Sequence, residues 1–355
     1  MELRELDYEL PEELIAQQGL AERVQSRLLV LRRASGARED RSFGEMGHFV
    51  EGGDCLVIND TKVIPARFFA RRATGGKIEG LFLKEAGRGC WEVMLKNAAR
   101  LRQDERLELI SPDGGADPAK TEPVRVQVVE NQGEGQWRLR LESEESPVAI
   151  LGRYGRTPLP PYISRKDQNG MEAIDHQRYQ TVYADKPGSI AAPTAGLHFT
   201  PELLDLLQRQ GAAIARVTLH VGLGTFKPIT AARVEDHPMH SEYYEMDAAS
   251  AGRINQTIER GGRVIAVGTT SVRTLETLGR SGRVAAGSGW TDIFITPGYS
   301  FRIVKAMITN FHLPRSTLLA LVCAFAGREL ILDAYRHAIE QKYRFYSYGD
   351  AMLIL

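Results

Sequence analysis

One stretch of the sequence changes its hydrophobic period and holds the change long enough to dictate a domain. Residues 63–72, 77–85, 91–96, 105–110, 124–130 and 136–143 are short β-type runs separated by Gly, Pro and Asp turns, with no segment of helical period between them. Short strands joined in this way tend to close on themselves, because closure removes the unpaired edges that a free sheet exposes. A small β-barrel over residues 63–149 is therefore expected, with Ser111-Pro112-Asp113-Gly114-Gly115-Ala116-Asp117-Pro118 as a solvated turn.

The flanks read differently. Residues 26–33 and 54–60 have strand character, and beyond about residue 150 strand and helix alternate. Thr200-Pro201-Glu202 supplies an N-cap, a proline at the first helical position and an early carboxylate before a helix that Gly211 stops. A strand over 212–221, a helix over about 247–260 and a strand at 263–268, buried enough to lack alternation, follow. Then come a helix from Ser271, strands at 292–296 and 303–308, helices at about 316–326 and 328–342, and a last strand at 351–355. The expected organisation is an α/β domain made of residues 1–62 and 150–355, into which the small barrel of 63–149 is inserted.

Charge and composition exclude several classes of function. The 45 basic side chains balance 45 acidic ones, so a polyanionic partner must be held by a local patch and not by the net field. Cys55, Cys90 and Cys323 form no CxxC pair, which argues for a reducing compartment and against a zinc knuckle or disulfide framework. The first residues lack the apolar stretch of a signal peptide, and the longest apolar run, Leu318 to Ala326, is half a membrane span. A cytoplasmic monomer with no membrane contact is expected.

The chemistry-bearing residues cluster at expected strand ends, where α/β sheets open into a ligand crevice. His198, His220, His237, His240 and His312 each stand beside Gly, Pro, Thr or Asn. Any one of them has a packing or capping explanation; five together favour a proton-transfer site. Pro193–Phe199, with Thr194 and Gly196, is either a tight turn or a place where backbone amides approach a ligand. Gly222 and Gly224 resemble half of a dinucleotide fingerprint, but no third glycine follows at the required spacing and Pro228 blocks the helix. No phosphate-binding GxxxxGK[ST] loop occurs either. Asp236–Glu242 carries metal-ligand types, yet Pro238 breaks the helix that would align His237 and His240, so no metal is expected there. Thr269, Thr270 and Arg273 sit where a strand gives way to a helix whose free amides favour an anion; a hydroxyl cap with a surface Arg is the alternative. Asn310 and His312 again follow a β-type run. Tyr343, Tyr346 and Tyr348 either stack a base or cover a core edge.

Asn59-Asp60-Thr61-Lys62-Val63-Ile64-Pro65-Ala66-Arg67, Gly75–Glu79, Pro158–Ile163, PTAGLHF, TLHVGLGTF, HPMHSE, VIAVGTTSVRTLE, TNFHLP and YRFYSYGDAM occur together and in this order. With them the chain closely resembles the S-adenosylmethionine:tRNA ribosyltransferase-isomerases of queuosine biosynthesis, from Leu10-Pro11 to the C-terminus. It departs from them at 279–289 and 111–121, outside the motifs.

The resemblance implies an α/β-barrel-like larger domain carrying an inserted β-barrel. It also implies transfer and isomerisation of the ribosyl moiety of S-adenosylmethionine onto 7-aminomethyl-7-deazaguanine at the tRNA wobble position, giving epoxyqueuosine with release of adenine and methionine. S-adenosylmethionine is then a consumed substrate, and no separate cofactor is needed. Such a reaction requires a base beside the sulfonium and an acid for departing adenine. His198 and His220 lead as proton-transfer candidates, followed by His237, His240 and His312. Thr269, Thr270 and Arg273 are expected to hold the methionine carboxylate, and Thr194, Gly196, Gly222, Gly224 and Asn310 complete the substrate-binding set. Lys62, Arg67, Arg71, Arg72 and Lys77 are expected to meet anticodon-arm phosphates, unless they form an ordinary solvated strand face. The wobble base would stack on Tyr343, Tyr346 or Tyr348. Two other classes compete: an S-adenosylmethionine-dependent tRNA methyltransferase, disfavoured by the missing Gly-rich strand-turn-helix, and a non-catalytic RNA-binding protein, disfavoured by the neutral charge.

Overall fold

The computed structural model describes residues 1–111, 123–165, 170–222 and 229–355. Gly224 and most of the turn at 111–118 therefore lie outside the described residues. In chain order, β1 (Arg27–Leu31), β2 (Arg38–Ser42), β3 (Cys55–Asn59) and the short β4 (Thr61–Val63) come first. The six β-type runs become β5 (Arg67–Arg72), β6 (Lys77–Glu85), β7 (Cys90–Lys96), β8 (Arg106–Ile110), β9 (Arg125–Gly133) and β10 (Gln136–Leu141). Next are α1 (Pro147–Tyr154), β11 (Gly155–Arg156), α2 (Glu172–Arg178), β12 (Lys186–Ser189), α3 (Pro201–Arg209), β13 (Ala213–Leu219) and β14 (Glu242–Met246). The chain ends with α4 (Ala248–Glu259), β15 (Val264–Val267), α5 (Thr269–Leu278), β16 (Gly287–Thr291), β17 (Ala306–Asn310), α6 (Thr317–Ala326), α7 (Arg328–Glu340) and β18 (Ala351–Ile354).

Two compact units result: Met1–Lys62, Pro160–Ser164 and Gln180–Leu355 form one, Val63–Leu159 and Arg165–Tyr179 the other. The smaller unit is a barrel in the order β5-β6-β7-β10-β9-β8, closed by pairing of β5 with β8. Alternate residues point inward, and Trp91 fills the interior with its ring edge-on to Phe68 and Phe82 at centroid distances of 5.9 and 5.1 Å. This unit runs past residue 149 because α1 buries Ile150, Leu151 and Tyr154, and β11 pairs with β5.

In the larger unit nine strands run in the order β16-β14-β13-β3-β15-β17-β18-β1-β2, with β16 and β2 at the two ends. β13, β3, β15 and β17 are mutually parallel, while β18 returns antiparallel to β17. Both faces are covered, which is why these strands read as continuous apolar runs. Val57, Val217, Ala266 and Met307 face one core with α4 to α7; Ile58, Val267, Ile308 and Leu353 face the other with α3 and Phe43. The charged β2 was not legible as a strand, and its acidic and basic side chains suit an exposed edge. The segment expected as a strand at 292–296 has no regular structure; the strand there is β16, one element earlier.

Candidate functional site

Because the four central strands are parallel, their C-terminal ends lie along one edge, and backbone groups there have no further ladder partners. Asn59 ends β3 and stitches this edge together. Its side-chain Nδ2 donates to the Leu219 carbonyl (3.0 Å) and to Thr270 Oγ1 (3.2 Å), while its Oδ1 accepts from the amides of Leu219 (3.0 Å) and Thr61 (3.2 Å). One fully buried amide thus holds the ends of β3 and β13 and the start of α5.

A cavity with about 660 Å³ of empty space opens at this edge, within the larger unit. Thr194, Thr269, Thr270, Asn310, His312, Ser316, Ser347, Tyr162 and Tyr346 line it, with Ala191, Val221, Phe311 and Leu313 among its apolar walls. The sequence expectations for Thr194, Thr269, Thr270, Asn310 and His312 meet in this one space. Tyr162 and Ser347 were not anticipated: the Tyr162 hydroxyl lies 2.6 Å from Ser347 Oγ, and its ring packs on Tyr346 at 4.7 Å.

His198 stands behind the cavity wall. Its Nδ1 is 2.7 Å from Ser26 Oγ, its Nε2 is 3.2 Å from Asn310 Nδ2, and its ring stacks on Phe43 at 5.0 Å. Asn310 Nδ2 also donates to the carbonyls of Tyr346 (3.1 Å) and Asp350 (3.3 Å). His312 does reach the cavity, with Nε2 2.7 Å from Thr309 Oγ1. Desolvation pushes both imidazoles down to about 3, so both are neutral near pH 7.

The remaining expectations are dispersed. His220 pairs through Nδ1 with Thr61 Oγ1 at 2.8 Å and stacks on Tyr243, and burial lowers its pKa; it does not line the cavity. His237, His240, Glu242 and Arg273 line a second space of about 430 Å³. Arg273 is not available to a substrate carboxylate: its guanidinium bonds Glu242 and the carbonyls of Ile293 and Thr291. The partner Glu242 also takes the Gly222 amide at 2.9 Å, which removes that amide as a ligand donor. Gly196 serves packing, since a Cβ there would strike the Tyr183 hydroxyl and Thr181. Among the described residues, no group of three or more His, Cys, Asp or Glu is placed to hold a metal ion.

Of the basic cluster, Arg67 pairs with Glu79 (3.0 Å) and Arg72 with Glu105 (2.5 Å), while Arg71, Lys77 and Lys62 are exposed. The Lys77 ammonium also lies 4.0 Å from the centre of the Phe69 ring. Among the tyrosines, Tyr346 lines the cavity. Tyr343 has no exposed surface with which to stack a base: Arg27 covers its ring at 3.7 Å and its hydroxyl donates to Asp40 at 2.5 Å. Tyr348 is buried, and its carbonyl accepts from Arg344 at 2.9 Å.

An α/β unit with a polar cavity at the C-terminal edge of its parallel strands, carrying a separate closed β-barrel, defines the class of protein. Within that class, residues 3–354 match the queuosine biosynthesis protein family, and the chain belongs to it. It is 51% identical over 358 residues to a Moorella thermoacetica protein named S-adenosylmethionine:tRNA ribosyltransferase-isomerase, and 47% identical over 356 residues to one of the same name from Trichlorobacter lovleyi; each match spans both chains fully. The crystal structure of a Thermotoga maritima S-adenosylmethionine tRNA ribosyltransferase is similar with a TM-score of 0.55 at 35% identity, covering 99% of this chain and 100% of that one. No helix of the described residues is long and apolar enough to cross a membrane.

Proposed function

We propose that the chain is an S-adenosylmethionine:tRNA ribosyltransferase-isomerase. It takes S-adenosylmethionine and a tRNA carrying 7-aminomethyl-7-deazaguanine at the wobble position, and yields epoxyqueuosine-tRNA, adenine and methionine. The full-length family match carries this reading. The cavity supports it by presenting hydroxyls, an amide and a neutral imidazole at a sheet edge suited to small ligands.

The sulfonium acidifies the carbon beside it, and a neutral imidazole is in the form required to take that proton. His312 fits this task better than His198 or His220, because it alone of the five histidines borders this cavity. Burial keeps His312 in the unprotonated form from which a base must start, although the same desolvation lowers its basicity. Departing adenine needs a proton donor, and the hydroxyls of Thr194 and Tyr162 on the cavity wall are the candidates; the Ser316 hydroxyl is committed to the Leu313 carbonyl and to capping α6. S-adenosylmethionine acts as substrate with no separate cofactor, and the protein works as a cytoplasmic monomer.

The test is product analysis with purified protein, S-adenosylmethionine and correctly hypomodified tRNA. Free adenine in step with a mass gain on the tRNA is expected. S-adenosylhomocysteine in its place would mean methyl transfer and end the proposal.

A further inference from the structure

Asn310 is 2% exposed, and its amide group is satisfied on one side only. Three acceptors crowd Nδ2: His198 Nε2, the Tyr346 carbonyl and the Asp350 carbonyl. Two of these are carbonyls, which accept and never donate, so the amide has one permitted orientation. Tyr346 itself adopts φ of 69°, a strained conformation for a bulky residue, while presenting its carbonyl to Asn310. The result is that Asn310 Oδ1 is buried with no hydrogen-bond partner, on a residue that lines the cavity.

One strand away the opposite polarity is left unmatched. α5 begins after Gly268, whose φ of 86° favours glycine and whose lack of a side chain leaves the helix without a capping oxygen. Its backbone ladder starts with the Val272 amide bonding the Gly268 carbonyl at 3.3 Å, so the amides of the first turn have no helical acceptor. Gly268, Thr269 and Thr270 line the same cavity as Asn310. β15 and β17 are adjacent and parallel, with Val267 opposite Ile308, so the α5 start and Asn310 follow from neighbouring strand ends about 4.8 Å apart.

We infer that the first turn of α5 and Asn310 together form a subsite for the α-amino-acid end of the sulfonium substrate. The carboxylate lies on the free amides of α5, and the ammonium donates to Asn310 Oδ1. An α-amino acid carries its negative and positive groups on one carbon, which matches an anion site and a lone acceptor side by side. His198 is then a positioning residue: with the two carbonyls it holds Nδ2 and so fixes the orientation of the Asn310 amide.

This inference rests on the function proposed above, and binding measurements separate the two. Calorimetric titration should compare S-adenosylhomocysteine, its deaminated analogue and 5′-methylthioadenosine, which keeps the nucleoside and lacks the amino acid. Asn310→Ala should weaken S-adenosylhomocysteine about tenfold or more and leave methylthioadenosine within about twofold. Equal weakening of both would place Asn310 against the nucleoside, and no weakening of either would remove it from the site; each overturns the inference. Should Asn310→Ala fail to fold, wild-type protein decides the matter: the deaminated analogue must bind about tenfold more weakly than S-adenosylhomocysteine, and equal binding refutes the subsite. A wild-type protein that binds none of the three and releases no adenine would defeat the function itself, and this subsite with it.

Discussion

His198 Nε2 lies 3.2 Å from Asn310 Nδ2, and Asn310, not His198, lines the cavity. In the subsite inferred above, the imidazole would act on the ligand only through this amide. Replacing His198 with Leu removes one of three acceptors on that amide, which should raise KM for S-adenosylmethionine several-fold with a smaller change in kcat. His198→Gln, which still offers an acceptor, should recover much of the loss. A kcat that collapses with KM unchanged, together with a lost limb of the pH–rate profile, would instead put His198 in proton transfer.

His312 is the one of the five candidate histidines that borders the cavity, and the proposed function makes it the base. His312→Gln keeps a polar side chain near Thr309 and removes the base. Adenine release at saturating substrates should fall by about 10²–10⁴, while S-adenosylhomocysteine binds within a few-fold of wild type. Full turnover in this variant would move the base elsewhere.

The two cold imidazoles make acid stability a second readout. The unfolded chain takes up protons near the ordinary histidine value of 6.5, whereas folded His198 and His312 resist protonation until about 3. The unfolded state thus binds more protons across that window, and stability contributed by neutral burial is lost as pH falls from about 6.5 towards 3, at about 1.4 kcal/mol per pH unit for each group. Urea unfolding at several pH values should show a shallower loss in His198→Gln than in wild type over this range. Parallel curves would contradict the assignment.

Arg273 and Glu242 form a buried ion pair, with side chains 6% and 4% exposed. Arg273→Met takes the guanidinium away from the buried Glu242 carboxyl, which should cost about 3–5 kcal/mol of folding stability, and Arg273→Met with Glu242→Gln should restore part of it. Were Arg273 a substrate ligand, the single variant would instead raise KM at unchanged stability. Chemical denaturation beside a substrate titration distinguishes the outcomes.

On the barrel, Arg71 is exposed whereas Arg72 is committed to Glu105. Neutralising Arg71 alone should reduce the salt dependence of anticodon-arm binding by close to one unit of slope, with little effect on melting. Arg72→Gln should act mainly on barrel stability. An unchanged slope for Arg71→Gln removes it from the phosphate contacts.

Local rules carried the elements whose own residues decide them. The alternating runs of the barrel, the Thr200-Pro201 helix start and the apolar strand at 264–267 follow from period, cap and burial, all short-range properties. Where a local signal had a competitor, the chain resolved it otherwise. α5 begins at Thr269 and not Ser271, because left-handed Gly268 turns the chain and leaves both threonines inside the first turn. Arg273 was legible as a cation near a strand end; that Glu242, distant in sequence, neutralises it was not.

The sequence by itself determined the class of fold and the family, since these depend on residue type and order. Only the tertiary structure decided which of the candidate residues share a cavity. Hydrogen bonds such as Ser26 to His198, Asn59 to Thr270 and Asn310 to the Tyr346 carbonyl join residues far apart in the chain, and strand register, invisible in composition or period, brings them together.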